Sequence, residues 1–510
     1  MLKLNPTRLT KKNGIRDLRS ADLGVWSLRS DHSEPRLQQW NSTESTMKNA
    51  TFRLTMIALA AAASSPCLAQ SLPPIRQLGP VTAVAKEPLG SVTAVRHLPD
   101  GRILVNDIVG RRVVMFDSSL STVTVVADTT SATANAYGVQ PGGLIAYRGD
   151  STLFVDVASL SMLLIDPNGK IARVMSAPRA QDVGFLVGGP FGNPGFDPKG
   201  RLVYRAPPNF AAFRPAPGSA NRLPQFPTIP DSAALVRFDL ATRKVDTVTF
   251  FKTPKFNLNI TQSPDGGVRV TSTTNPLPQG DDWALLSDGT IALVRTKDYH
   301  VDFLNPDGTT TSSPKIPFQW ERLTDEAKVA FIDSAKVAIE KARASGQFGR
   351  DGGPQMMFRG GPDGAAPGRR DGAGGDAPRS GPAPAPAPNA QPGTMTVTSG
   401  GNTTVTSVGP GGAGGPLPPL TMISPNELPD YKPAFAPGST RADADGNLWV
   451  RTSQNVATRP VYNVINRKGE LIDRVQLPAN RVLVGFGEGG VVYLAVRDGA
   501  TAHLEKARSK

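Results

Sequence analysis

The sequence predicts an all-β fold, a six-bladed β-propeller built from four-stranded antiparallel blades. A short motif recurs along the chain, consisting of a Gly-containing turn followed by four or five mostly apolar residues. Strands before and after each copy complete a unit of about 40–50 residues, which is the size of a propeller blade. The chain is also rich in Gly (51) and Pro (47). These residues interrupt regular elements, so they favour short strands and turns over long helices.

The repeated motif places a tight turn directly ahead of a strand. Asp-Gly pairs between apolar runs are typical of β-hairpins, because both turn residues tolerate positive φ. The last copy lacks an outer strand, and residues 72–86 are expected to supply it and thereby close the ring without an unpaired edge. The six copies lie at the turns around Gly101, Asp150, Gly200, Gly289, Gly446 and Gly489.

The repeats divide the chain into six units of unequal length. The third unit is lengthened by a Pro- and Phe-rich segment, Ala206 to Asp231, and by an extra hairpin around Gly266. The predicted blades span roughly 88–130, 140–180, 185–275, 280–320, 435–478 and 480–508.

Between the fourth and fifth units the pattern changes. Thr324 is expected to begin a helix over 324–345, since its hydroxyl can accept a free N–H and acidic residues follow it. Residues 346–418 consist largely of Gly, Pro, Ala and Arg, and cannot bury enough apolar surface to offset their ordering entropy. This insertion is therefore predicted to be disordered. Blades one to four then occupy 70–323, and blades five and six occupy 419–510.

The N-terminal part predicts export. Residues 47–69 combine a basic front, a short apolar run and small residues before a cleavage point, which is the layout of a secretory signal peptide. The mature protein is then expected in the periplasm or outside the cell, without stable membrane insertion. Residues 1–46 look like a mis-called or disordered extension, and a genuine basic tail is the alternative. Cys67 is a poor match to a lipoprotein cysteine.

Composition excludes several classes of function. With one cysteine and four histidines, the chain has no disulfide framework and no Cys-based zinc or redox site. No complete metal-ligand set was found, so neither a metal nor another cofactor is predicted. The net charge of +13 favours anionic partners. Basic residues are spread out rather than clustered, so nucleic acid is not an expected partner, and a monomer is expected.

The blades resemble the six-bladed TolB-like and NHL-like β-propellers of exported bacterial proteins. The hairpin turns carry this resemblance, together with Trp283 to Asp302 and Ala442 to Trp449. Members of these families include protein-binding scaffolds, lactonases and accessory domains of peptidases, so the resemblance implies a fold and selects no function. The chain has no Gly-x-Ser-x-Gly nucleophile motif and no following α/β domain.

Charged residues recur where the second strand of each unit ends. If the strand register holds, the arginines ring one face, and a guanidinium group is a planar donor suited to carboxylate or phosphate. The alternative is that each arginine pairs with an acidic residue and staples the ring. The predicted binding residues are Arg205, Arg295, Arg451 and Arg497 in blades three to six, with Asp107 and Asp156 in blades one and two.

Three further patterns each allow more than one interpretation. Asp298, His300 and Asp302 alternate, and two carboxylates beside an imidazole suit either a metal or a structural role. Asp443 to Asn447 resembles the start of a calcium loop, although its closing Glu is missing, and a plain hairpin turn is the simpler interpretation. The loop of blade three carries Phe210, Phe213 and Phe226, which are expected to form a lid or a partner patch over the arginine face, or else local packing.

Three functions remain open from the sequence. The leading hypothesis is a non-catalytic binding module that recognises a protein or a small anionic ligand on the arginine-lined face. The second is a metal-assisted hydrolase or lactonase with its site in the propeller channel. The third is an envelope scaffold that uses the insertion as a tether.

Overall fold

The structure, a computed structural model, confirms the predicted architecture. In the described part of the chain, six sheets form the blades; each contains four antiparallel strands, and the sheet of blade five carries one further strand that pairs parallel. The described residues are 72–130, 136–208, 230–255, 257–262, 268–344, 393–399, 402–408, 420–457, 459–499 and 501–510.

The first three blades form in chain order, with each strand pairing to the next. Blade three is lengthened, as predicted, by a separate two-stranded hairpin, β15 (Asn257–Gln262) and β16 (Val268–Thr273). Blade one contains β3 (Val92–His97), β4 (Ile103–Asp107), β5 (Arg112–Phe116) and β6 (Val123–Ala127). Blade two contains β7 (Gly143–Ala146), β8 (Thr152–Asp156), β9 (Ser161–Ile165) and β10 (Ile171–Ser176). Blade three contains β11 (Gly195–Phe196), β12 (Leu202–Arg205), β13 (Ser232–Phe238) and β14 (Val245–Lys252).

The remaining blades follow the same pattern. Their inner strands are β17 (Asp282–Leu285), β23 (Phe435–Ala442) and β27 (Arg481–Gly487). Blade four contains β17 (Asp282–Leu285), β18 (Ile291–Arg295), β19 (His300–Leu304) and β20 (Thr310–Ser312). Blade five contains β23 (Phe435–Ala442), β24 (Leu448–Val456), β25 (Arg459–Ile465) and β26 (Leu471–Gln476). Blade six contains β27 (Arg481–Gly487), β28 (Val491–Asp498) and β29 (Thr501–Arg508).

The N-terminal residues close the ring, as the sequence predicts. Strand β2 (Val81–Val84) pairs antiparallel with β29 and becomes the outer strand of blade six. Strand β1 (Ile75–Gln77) pairs parallel with β26 and adds a fifth strand to blade five. The outer edges of both C-terminal blades are thus covered by the start of the described chain.

Apolar residues fill the spaces between blades. The six larger clusters of buried residues each join two neighbouring blades, for example Trp283 of blade four with Val203 and Phe251 of blade three. The second strands of blades one to four are almost wholly buried because both of their faces pack on a neighbouring blade. Burial of apolar surface between blades is therefore the main force that holds the ring.

One helix interrupts the strands. Helix α1 (Asp325–Ala344) starts directly after the predicted cap, and Thr324 Oγ1 accepts a hydrogen bond from the N–H of Ala327 at 3.2 Å. Ile332 of the helix packs with Leu428 and other apolar residues. Among the described residues, no helix is long and apolar enough to cross a membrane.

Several predictions fall outside the described residues. These are the signal peptide, the extension before it, and the three phenylalanines of the blade-three loop. Within the predicted disordered insertion the structure describes one hairpin, β21 (Gly393–Ser399) and β22 (Asn402–Val408). The rest of 346–418 lies outside the described part.

A connecting segment between blades two and three reaches the inner strands of later blades. It contains two short 3₁₀ turns, Ala180–Phe185 and Gly189–Phe191. The carbonyl of Phe191 accepts a hydrogen bond from Trp283 Nε1 of blade four at 3.0 Å. Gly438 of blade five has a φ of 83°, and a Cβ there would lie 2.8 Å from the Cα of Pro190. The segment therefore lies against the inner strands of blades four and five.

Candidate functional site

The predicted binding arginines do not share one register. Counted from the first residue of their strands, Arg205 and Arg451 stand at the fourth position, Arg295 at the fifth and Arg497 at the seventh. Because side chains alternate along a strand, Arg205, Arg451 and Arg497 lie on the side that packs against the following blade, whereas Arg295 lies on the side that packs against the preceding blade. The structure thus gives the four guanidinium groups different environments, and their binding role stays a prediction.

Arg205 is buried, with 7% of its surface exposed. Its guanidinium carbon lies 5.2 Å from the ring centre of Phe191, 5.7 Å from that of Phe251 and 5.9 Å from that of Phe185. Burial lowers the pKa of Arg205 to about 10, and the charge of Asp282 offsets this only in part. Arg205 is therefore set within the protein and not on an open face.

The two predicted aspartates hold local turns. Asp107 is fully buried and accepts hydrogen bonds from the N–H groups of Gly90, Ser91 and Gly110 at 2.9–3.0 Å. Its other oxygen accepts a bond from Arg112 Nε at 3.1 Å. In blade two, Asp156 accepts bonds from the backbone N–H groups of the two residues that follow Val157. These hydrogen bonds give both carboxylates a structural role in their turns.

Arg451 and Arg497 are both exposed. Arg451 lines a groove of about 360 Å³ together with Lys432 and Phe331. Lys432 is paired there with Glu321 at 3.4 Å. This groove adjoins the larger cleft described next, since Pro433 lines both.

Arg295 lies in a cleft that has a volume of about 600 Å³. Its Nη1 donates to Asp281 Oδ2 at 2.9 Å, and its Nε donates to Asp302 Oδ2 at 2.7 Å. Both carboxylates belong to blade four, so the arginine braces its own blade and not the neighbouring one. These two carboxylates raise the pKa of Arg295, although burial acts in the opposite direction.

The three alternating residues of blade four extend this network. His300 Nδ1 is 2.6 Å from Asp298 Oδ1, and its Nε2 is 3.3 Å from Asp302 Oδ1. Burial favours the neutral form of Asp302, but hydrogen bonds from Ser312 and Arg295 outweigh it and hold the pKa of this carboxyl below its usual value. Carboxylates therefore contact both nitrogens of the His300 imidazole. This arrangement suits a rigid wall of the cleft.

Two segments far apart in sequence form the opposite wall of the cleft. Leu323 donates its N–H to the carbonyl of Asp430 at 2.8 Å, and Lys432 donates to the carbonyl of Glu321 at 2.9 Å. This short pairing brings Trp320 and Tyr431 into the cleft lining. Their exposed fractions are 40% and 51%, so both rings are available to a ligand.

Helix α1 fixes this wall. Lys328 is buried except for 6% of its surface, and its Nζ bonds Asp430 Oδ1 at 2.7 Å. The hydrogen bond lowers the pKa of Asp430. The helix that interrupts the blade pattern is thus directly connected to the cleft.

The carboxylates of the cleft are paired, whereas two of its lysines are not paired with any described residue. Each carboxylate of the lining has a partner, since Asp281 and Asp302 bind Arg295, Asp298 binds His300, and Asp430 binds Lys328. Lys252 and Lys297 also line the cleft, and neither forms an ion pair with any described residue. Among the described residues, the charged groups of the cleft that lack an ion-pair partner are therefore positive.

No group of three or more His, Cys, Asp or Glu side chains within the described ranges is arranged to hold a metal ion. Asp443 forms the hairpin turn that the simpler interpretation predicts. Its Oδ1 accepts the N–H of Asn447 at 2.7 Å, and its Oδ2 accepts Trp449 Nε1 at 3.0 Å.

Sequence reasoning found only one wall of this cleft. Arg295 and the three alternating residues were recognised, whereas Lys252, Trp320 and Tyr431 were not. The missed residues lie at the end of an outer strand and in extended segments, where no periodic pattern marks them. The one feature of the sequence that could have indicated this wall of the cleft is that its aromatic residues lie near Lys and Arg.

No protein-family model matches the sequence, and no curated protein matches it. Several solved structures are similar at low identity. A gluconolactonase from Xanthomonas campestris is 11% identical, with 85% of this chain and 99% of that chain covered and a TM-score of 0.30. A calcium-binding regucalcin from Agrobacterium tumefaciens is 10% identical, with 86% and 98% covered and a TM-score of 0.32.

A catalytically inactive virginiamycin B lyase from Staphylococcus aureus with quinupristin is 11% identical, with 82% and 98% covered and a TM-score of 0.30. Similarity at this level carries no argument about activity or ligand. The closer relationship to TolB-like or NHL-like proteins, and export, stay predictions.

Proposed function

We propose that this protein is an exported, non-catalytic binding module whose blade-four cleft recognises a small anionic ligand. The observation that carries the proposal is the charge balance of the cleft, in which every lining carboxylate is paired while Lys252 and Lys297 form no ion pair with a described residue. An ammonium group without a partner attracts an anion, and a charge-assisted hydrogen bond is stronger than a neutral one. A monomer suffices for this role.

The shape of the cleft supports the same function. A volume of about 600 Å³ lies within the range of small-molecule sites, roughly 300–1,000 Å³. Trp320 and Tyr431 offer ring surfaces beside the lysines, so the favoured ligand combines an anionic group with a flat or apolar part. Arg295, fixed by two carboxylates, keeps the wall in place.

The test is isothermal titration of the full chain with sugar acids, aromatic carboxylates and inorganic phosphate. We expect at least one carboxylate to bind, and a Lys252→Ala/Lys297→Ala variant to bind it about tenfold more weakly, equivalent to about 1.4 kcal/mol. Lys170→Ala removes an exposed lysine from a turn of blade two and serves as the matched control. Unchanged binding in the double variant, or no binding of any anion by the parent, contradicts the proposal.

The alternative functions have their own signatures in the same preparation. A metal-assisted hydrolase or lactonase predicts that calcium or zinc stabilises the parent and that lactones are hydrolysed, with the lysine variants unaffected. An envelope scaffold predicts that deletion of 346–418 abolishes a protein association while the propeller still folds.

A further inference from the structure

Arg205 presents an unusual state for a buried cation. Its Nε has essentially no access to water and no hydrogen-bond partner. Among the described residues, no carboxylate forms an ion pair with it; the salt bridges of blades three and four involve other arginines. A buried charge without a partner is strongly unfavourable, so such groups are normally paired.

The three phenylalanine rings do not fully compensate for the burial of the Arg205 guanidinium group. Ring faces attract a cation through their quadrupole. However, the N–H donors of a guanidinium group lie in its plane and require acceptors, which phenylalanine does not provide. The rings therefore stabilise the positive charge and leave the Nε donor unsatisfied.

The nearby carboxylate is already engaged. Asp282 is 3% exposed; its Oδ2 accepts the N–H of Thr440 at 2.7 Å and its Oδ1 the N–H of Trp283 at 2.9 Å. It acts on Arg205 only as a charge at a distance. Burial raises the pKa of Asp282 to about 6, so even this negative charge is weakened.

A second arginine increases the positive charge in the same region. Arg441 stands next to Thr440 on the inner strand of blade five, and burial lowers its pKa despite the opposing charges of Tyr462 and Asp282. It has no ion pair with a described residue; the salt bridges of blade five use other side chains. Two guanidinium groups thus share the influence of one carboxylate.

The loop that follows Arg205 offers no carboxylate, since residues 209–229 contain no Asp or Glu. That segment therefore supplies no counter-charge for Arg205.

We propose that the junction of blades three and four holds a small anion against the Arg205 guanidinium, beneath the connecting segment that contains Phe185 and Phe191. The chemistry is that of a carboxylate, an inorganic oxyanion or a halide. This site is separate from the blade-four cleft, and it does not depend on the function proposed for that cleft.

The test is thermal unfolding of the full chain in chloride, formate and inorganic phosphate, each titrated to 100 mM. Arg205→Met keeps a long side chain against the three rings and removes the charge. We expect one of these anions to raise the melting temperature of the parent by about 2 °C more than that of Arg205→Met. General salt effects act on both proteins alike and cancel in the difference.

Two controls separate the possible outcomes. The Lys252→Ala/Lys297→Ala variant should keep the full response, and loss of the response there assigns it to the cleft and overturns the internal site. Equal shifts of the melting temperature in the parent and in Arg205→Met also overturn the internal site. So does a third result, in which no anion shifts the melting temperature of the parent and Arg205→Met simply melts at a lower temperature. The last result would mean that the phenylalanine rings alone stabilise the charge of Arg205.

Crystals of the parent soaked in bromide provide a measurement that needs no variant. An anomalous peak beside the Arg205 guanidinium is expected. Its absence, with peaks elsewhere on the surface, counts against the proposal even if Arg205→Met fails to fold.

Discussion

At the residue scale, charged side chains in similar places of the repeat have different roles. Asp107 holds a turn through three backbone N–H groups, and Arg295 braces two carboxylates of its own blade. Arg205, one strand position earlier than Arg295, is packed among phenylalanine rings. A shift by one residue moves a side chain to the other face of a blade, and this decides whether the charge meets a partner.

Asp282 makes stability depend on pH. Burial raises its pKa from the ordinary 3.8 to about 6, so the folded protein binds this proton more tightly than the unfolded chain does. The resulting stabilisation is complete below about pH 3.8 and is lost as the pH rises through about 6. Its full size is roughly 3 kcal/mol.

The corresponding experiment compares the parent with Asp282→Asn from pH 4 to pH 7 by chemical denaturation. The free energy of unfolding of the parent should fall relative to that of the variant as the pH rises, with the change centred between pH 4 and 6. Parallel profiles for the two proteins would show that the carboxyl titrates normally in the folded state.

At the scale of elements, helix α1 has a supporting role for the cleft. Only one side of the helix is packed, through Ile332 and Lys328, whereas Val337 is 65% exposed. Lys328 holds Asp430, and the segment around Asp430 carries Tyr431. The stability of the helix is therefore linked to the shape of the cleft.

Ile332→Ala should loosen the helix without unfolding the propeller. We expect a loss of about 2 kcal/mol in local stability, because a buried side chain is truncated. Hydrogen exchange of the α1 amides should then be about thirtyfold faster, with the amides of β12 and β18 unchanged. Val337→Ala is the matched control and should leave exchange unaltered. Equal effects of both substitutions would mean that α1 does not dock through Ile332.

At the scale of the whole molecule, the ring depends on strands from the start of the described chain. Removal of residues 1–86 deletes β1 and β2, and so exposes the outer edges of blades five and six. It also removes Leu78, which is packed with Trp449 and Tyr462. Exposed strand edges pair readily with other chains.

The shortened chain should be less stable by at least about 3 kcal/mol and should aggregate, since both ladder hydrogen bonds and apolar burial are lost. Differential scanning calorimetry and light scattering measure the two effects. A chain that lacks only residues 1–71 keeps both strands and should melt like the full protein. A stable monomer without residues 1–86 would refute the role of β1 and β2 in closure.

The fold was predictable because its information is local and repeated. Each Asp-Gly or Gly-containing turn fixes a hairpin, and the apolar strands between turns fix the blades. The cleft was predictable only where it used blade strands, as with Arg295 and His300. Trp320 and Tyr431 meet through a pairing of residues 321–323 with 430–432, across the insertion. A contact between such distant segments leaves no periodic signal in the sequence.

The pairing of β2 with β29 also bears on the order of folding. A chain that grows from its amino end makes β2 long before Thr501–Arg508 exists, so blade six stays incomplete until the other five blades have been synthesised. The two ends of the ring finally meet closely, since a Cβ at Gly79 would lie 3.1 Å from the carbonyl carbon of Lys510. A linker from Lys510 to Leu72, with new termini opened within 346–418, would produce a circular permutant that keeps all six blades. In that protein blades five and six would be synthesised first, together with the strands that close them.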